Sequence, residues 1–138
     1  MNGKRYVLCA LVVWVLIFVM EYLLHAVLLA GQYEQIRHIL RPEESAGAFF
    51  FWVLLAELIL AFGMTYIFIK GYENRGLGEG FRFGLLVGVT FSVSTSLVNY
   101  AVFPLPASLT AAYVIGYPVE MIVAGLAMAA LYKPKTVK

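Results

Sequence analysis

The chain has 138 residues, 62% of them hydrophobic and 13% charged, about half the charged share of an ordinary soluble domain. That composition marks an integral membrane protein and not a soluble globular enzyme; the net charge of +2 is modest and says nothing about nucleic acid, which is not among the expected partners. Cys9 is the only cysteine, which rules out a disulfide within the chain.

Lys4 and Arg5 precede an apolar run from Tyr6 to about Ala30. The run is longer than the roughly 7–15 residues of a signal-peptide core, so it predicts a retained first transmembrane helix over about 6–30. Glu21 and His25 lie inside it, four residues apart and hence on one helix face. After it, Tyr33, Ile36, Ile39 and Leu40 recur at helical spacing among polar residues. That pattern fits either a short interfacial helix over 32–40 or an ordinary polar loop. Arg41-Pro42 ends the segment, and Glu43, Glu44 and Ser45 suit the start of the next helix.

A second span is expected over about 47–69, with Glu57 in its middle. Lys70 to Gly80 carries four glycines. It lacks the strand, lysine and hydroxyl residue of a phosphate-binding loop, so it reads as a flexible turn. The third span, about 82–103, has Gly84, Gly88, Ser92 and Ser96 every fourth position, the spacing that lets helices approach closely in lipid. Thr95 and Asn99 widen that stripe into a polar face. Pro104-Leu105-Pro106 makes a short connection to the fourth span, about 109–132. There Tyr113, Gly116, Tyr117 and Pro118 precede Glu120. Pro118 frees the Val114 carbonyl and permits a kink. Two small surfaces are expected on this helix, one at Gly116, Glu120, Ala124 and Ala127 and one around Gly125 and Ala129. One of them is expected to remain for a second copy or another partner.

The fold class is therefore all-α, an integral membrane four-helix bundle in a single domain. Eight basic residues (Lys4, Arg5, Lys70, Arg75, Arg82, Lys133, Lys135, Lys138) fall on one side and two (Arg37, Arg41) on the other. The positive-inside rule then places both termini in the cytoplasm, in a bacterial-type plasma membrane. Ala56-Glu57-Leu58-Ile59 echoes Val119-Glu120-Met121-Ile122, and Glu21-Tyr22 echoes Asn99-Tyr100. Two parallel helix-hairpin repeats would produce this echo, and so would chance likeness between apolar helices.

Glu21, Glu57 and Glu120 lie at membrane depth, with no lysine or arginine beside them. A charged carboxylate there costs at least ~2–3 kcal/mol. These groups either hold protons or have a cation among them. Counting ~1.5 Å per residue from the cytoplasmic ends, Glu57 and Glu120 lie roughly 18 Å deep, Glu21 about 22 Å, Asn99 about 25 Å and His25 about 28 Å. Glu21, His25, Glu57, Asn99 and Glu120 are thus expected around one polar cavity, supported by Ser96, Tyr100, Tyr113 and Tyr117. A proton, a metal ion or a small cationic substrate would suit it, in transport or binding. Glu21, His25, Glu57 and Glu120 are the candidate ligands of a single metal ion. Haem is disfavoured, because a bis-histidine site needs a partner for His25 and His38 lies in the loop. A subunit of a larger membrane complex is the alternative function, and a metal-dependent membrane enzyme the third. The partners expected are the lipid bilayer and a second copy or larger complex.

The glycine-led third span, Gly84-Leu-Leu-Val-Gly88, ending in Asn99-Tyr100, and the Tyr113-to-Gly116 start of the fourth resemble small four-span bacterial membrane proteins of unknown function. The resemblance implies the fold and brings no activity with it.

Overall fold

The structure is a computed structural model that describes residues 2–132. Lys133, Lys135 and Lys138, counted above for orientation, lie outside the described residues. Five α-helices are present among the latter: α1 (Gly3–Leu28), α2 (Ala30–Gln35), α3 (Glu43–Lys70), α4 (Leu77–Val102) and α5 (Ala107–Leu131). All but α2 are long and apolar enough to cross a membrane. The spans thus fall within a few residues of the expected ones, because length of apolar run is a local property of the chain.

Two of the long helices change pitch. α1 continues as a π-helix over Leu23–Leu28, and α4 contains a π-helical segment at Gly88–Val93. α5 is helical throughout Ala107–Leu131, Pro118 included. Its neighbour gives the proline room. Gly88 meets Pro118 so closely that an added Cβ would come within 2.6 Å of the proline Cα.

The end carrying Asn2, Tyr132 and the α3–α4 turn is the proximal end, and the other the distal end. At the proximal end Asn2 Oδ1 accepts from Arg5 N, and its own backbone N–H donates to Tyr132 Oη at 3.4 Å. This bond joins the start of α1 to the end of α5. The turn at 71–76 is shorter and better tied than a flexible loop over Lys70 to Gly80. Glu79, in the first turn of α4, is buried, and its carboxylate accepts from the N–H groups of Glu73 (2.7 Å) and Arg75 (2.9 Å). Gly76 takes φ +70° to enter the helix. Leu77 to Gly80 are accordingly helical.

The closest helix contact is between α4 and α5. A Cβ at Gly80 would lie 2.2 Å from the Gly125 carbonyl oxygen, and one at Gly84 2.2 Å from that of Met121. Only glycine allows backbones this near. The seam therefore starts one turn earlier than the Gly84-to-Ser96 stripe suggests, at Gly80. It uses the Gly125 and Ala129 surface of α5. The opposite surface, with Ala124, packs on α1, where Cys9, Val13 and Ile17 meet Ala61, Met64 and Phe68 of α3 and Met121 and Met128 of α5. Both small faces of α5 are used within the chain, and neither is left for a second copy.

The helices stand in the order α3, α1, α5, α4 and do not close into a ring. α3 and α4 are sequence neighbours, yet they meet only near their shared turn, where the Phe68 and Phe83 rings are 5.3 Å apart. The distal half of α3 is thinly covered: Phe50 meets the Phe18 ring of α1 edge-on at 6.3 Å, and residues 46–53 are all exposed. The expected closed bundle is thus open along one side. A second apolar cluster of Leu29, Ile36 and Leu109 secures the distal end of the other three helices. There α2 is followed by a 3₁₀ turn at Arg37–Ile39, a shorter helix than the 32–40 reading.

Candidate functional site

The gap between α3 and α4 is a cavity of about 870 Å³ whose back wall is α1 and α5. Its polar lining comes from Glu21 of α1, Tyr33 of α2, Ser92, Thr95, Ser96 and Asn99 of α4, and Tyr113, Tyr117 and Glu120 of α5. α3 contributes only Ile59, Leu60, Gly63, Met64 and Ile67.

Glu120 is 2% exposed, and neither carboxyl oxygen has a hydrogen-bond partner among the described residues. An unsatisfied buried carboxylate is costly enough that it must find a proton or a cation. Ser96 is buried at the cavity wall and donates to the Ser92 carbonyl at 2.7 Å, which absorbs a bond disturbed by the π-segment. Glu57 is also buried, with one unpartnered oxygen, but it stands beside the cavity and does not line it. Glu21, Glu57 and Glu120 are near enough for their charges to act on one another.

His25, on the π-segment of α1, is the hub of a polar chain behind the cavity. Its Nε2 lies 2.6 Å from Glu21 Oε2 and 3.3 Å from the Tyr117 hydroxyl. Its Nδ1 is hydrogen-bonded to the Tyr33 hydroxyl, which in turn lies 2.5 Å from the Tyr113 hydroxyl. One proton assignment satisfies this chain with Glu21 ionised. Nε2–H donates to Glu21, Tyr33 O–H donates to Nδ1, and Tyr113 O–H donates to Tyr33. Tyr113 and Tyr117 stack at 5.3 Å and 17°, and the imidazole faces both rings and that of Tyr33 at 5.6 to 6.0 Å. Burial, and then the bond to Tyr113, hold the Tyr33 phenol above its usual range, so at neutral pH it stays a donor.

Of the five residues expected around one cavity, Glu21, Asn99 and Glu120 line it. Glu57 and His25 adjoin it. Among the supporting residues Ser96, Tyr113 and Tyr117 are in place. Tyr100 is not: it is 47% exposed, on the outer face of α4, because one residue beyond Asn99 the helix has turned by about 100°. The four candidate metal ligands do not assemble either. Among the described residues no three His, Cys, Asp or Glu side chains come together as a metal would require. His25 has both ring nitrogens engaged, and Glu57 stands outside the cavity. His38 lies on the exposed 3₁₀ turn.

Tyr33 is the residue that the apolar spacing of the loop concealed, since a tyrosine at helical spacing reads as a membrane anchor. The signal for it is Tyr113, whose hydroxyl at the same distal depth needs a partner.

Comparisons with family models, with curated proteins and with solved structures find no match for this chain.

Proposed function

We propose that this is an integral membrane protein of a bacterial-type plasma membrane, termini in the cytoplasm, whose cleft binds a cationic group at Glu120 and Glu21 in a transport or binding role. The observation that carries this reading is Glu120, a carboxyl group sunk in the wall of a large cavity with nothing to pair with. In such a place a cation and a proton compete for the same oxygens. Glu21 and Glu57 are near enough to act on Glu120 as further acidic groups. The chain of Glu21, His25, Tyr33 and Tyr113 runs along the cleft and offers a proton released there a relay towards the distal end. Among the described residues no lysine or arginine lines the cavity, which leaves the positive charge to be supplied by a ligand.

The test is calorimetric titration of the protein in discs of zwitterionic lipid with sodium, magnesium, tetramethylammonium and octyltrimethylammonium. It is run in two buffers of different ionisation heat, so that proton release is read directly. At least one cation binds and displaces protons. Glu120→Gln weakens that binding by about tenfold or more, as expected for losing a charge-assisted contact. Its melting temperature stays at or above that of the wild type, because the neutral amide is cheaper to bury. Failure of all four cations to bind refutes the reading.

A second reading is an accessory subunit of a larger complex. The exposed distal half of α3, with Phe49, Phe50, Phe51 and Trp52, gives it a surface. Large subunits that co-migrate in mild detergent would favour it.

A further inference from the structure

Four features of the cleft bear on what kind of cation it takes. The first is its open side. Ile59 and Ile67 on α3 and Phe91 on α4 form its lips, and they are 65%, 62% and 67% exposed. With the four long helices in a bilayer, that side faces hydrocarbon and not water. The second is the segregation of its lining, with carboxylates and hydroxyls at the back and only apolar residues on the α3 wall. The third is size. About 870 Å³ is the room of a drug-sized organic ligand, which usually occupies roughly 300–1,000 Å³, and is far more than an ion bound by carboxylates needs.

The fourth feature is Gly63. The glycines of α4 are explained by the backbone of α5 pressed against them. Gly63 lies in the middle of α3, and a Cβ there would meet nothing within 4 Å. A glycine inside a helix is unfavourable relative to almost any other residue, and no packing in this molecule requires it. What its missing side chain leaves is space in the cleft that it lines.

From these features we infer that the ligand is a cationic amphiphile, an alkylamine or alkylammonium that enters sideways from the bilayer between α3 and α4. Its charged head reaches Glu120 and Glu21, and its tail stays in the slot beside Gly63. The inference rests on the reading of the cleft as a cation site and adds the class of cation and its route. The unpaired, buried Glu120 selects the positive head. The Tyr113 and Tyr117 rings line the same cleft, and aromatic rings favour a quaternary or protonated amine near them. An anionic or phosphate head is disfavoured by the same carboxylates.

The test uses tetramethylammonium, which has a head and no tail, and octyltrimethylammonium, which has both. They are titrated into protein in zwitterionic lipid discs. Three proteins are compared: wild type, Glu120→Gln and Gly63→Leu. Comparison of one ligand across variants cancels its partition into lipid. Leucine at position 63 fills the slot while favouring the helix, and Ile59→Trp on the same lip serves as a second plug should Gly63→Leu not fold. The expected result is that the plug weakens octyltrimethylammonium about tenfold, the loss of roughly two buried methylenes, and leaves tetramethylammonium unchanged. Glu120→Gln weakens both. Binding of both cations that depends on Glu120 but ignores the plug overturns the lateral amphiphile and leaves the cation site standing. Octyltrimethylammonium binding that ignores Glu120→Gln overturns the charged-head recognition. Absence of any cation binding to the wild type overturns the cation reading and this inference together.

Discussion

Glu120 and Tyr33 show two ways in which a polar group is kept in an apolar bundle. Glu120 has no protein partner and depends on what enters the cleft. Tyr33 is paired on both sides, by His25 Nδ1 and Tyr113. Its phenol is held above the ordinary range, and the consequence for stability has a definite sign. A folded-state value raised above the unfolded value of about 10 means that the folded protein keeps its proton when the unfolded chain has lost it. The contribution of Tyr33 is therefore complete below about pH 10 and declines as the pH rises beyond it. Thermal melts between pH 8 and 11 should show that decline in the wild type and a shallower one in Tyr33→Phe. Equal slopes would mean that Tyr33 is not the group responsible. Glu21 and His25 are each more than a quarter exposed, and Glu21→Gln keeps an oxygen that can accept from His25 Nε2–H, so the change should cost less than about 1 kcal/mol.

At the scale of the helix, the α4–α5 seam and the α3 wall assign opposite meanings to glycine. Gly84→Ala drives a methyl group into the Met121 carbonyl, a backbone atom that cannot turn aside. It should cost about 1–3 kcal/mol or more. Gly63→Ala meets open space and should be neutral or stabilise by up to about 1 kcal/mol. Melting temperatures of the two variants check this contrast, and a similar loss in both would show that α3 and α4 pack more tightly than the open cleft implies. The pitch changes follow the same division. The π-segments carry His25 of α1, beside the cavity, and Ser92 of α4, which lines it, and irregular turns of this kind often accompany functional sites.

The whole molecule is two helix hairpins, α1 with α3 and α4 with α5, joined along α1 and α5 and parted along α3 and α4. The echoed pairs share environments: Glu21 and Asn99 both line the cavity, and Glu57 and Glu120 are both buried. Lys4, Arg5, Lys70, Arg75 and Arg82 gather at the proximal end, against Arg37 and Arg41 at the distal end. By the positive-inside rule this asymmetry is the basis for proposing that the proximal end lies in the cytoplasm. Reporters placed after Gln35 and after Asn74 should be active outside and inside respectively, and the reverse pattern would overturn the orientation. In that orientation the tyrosine chain around His25 faces the outer side and the sealed Phe68–Phe83 end faces the cytoplasm.

The sequence by itself determined the four long helices, the carboxylates within them and the close approach at Gly84 and Gly88. Each of these depends on residues a few positions apart, through apolar length or a four-residue repeat. Only the tertiary structure decided which faces meet. α3 is apolar on every side, so no periodic stripe distinguishes the face that packs on α1 from the one that borders a cleft. The same lack of a polar face concealed that α3 and α4 stand apart, that Glu57 sits beside the cavity and not in it, and that Tyr100 points away. Tyr33 reached His25 and Tyr113 through a turn at Leu29 whose direction no pattern in the chain encodes. Where helices are uniformly apolar, partner choice rests on shape and close contact between distant residues, and those exist only once the chain has folded.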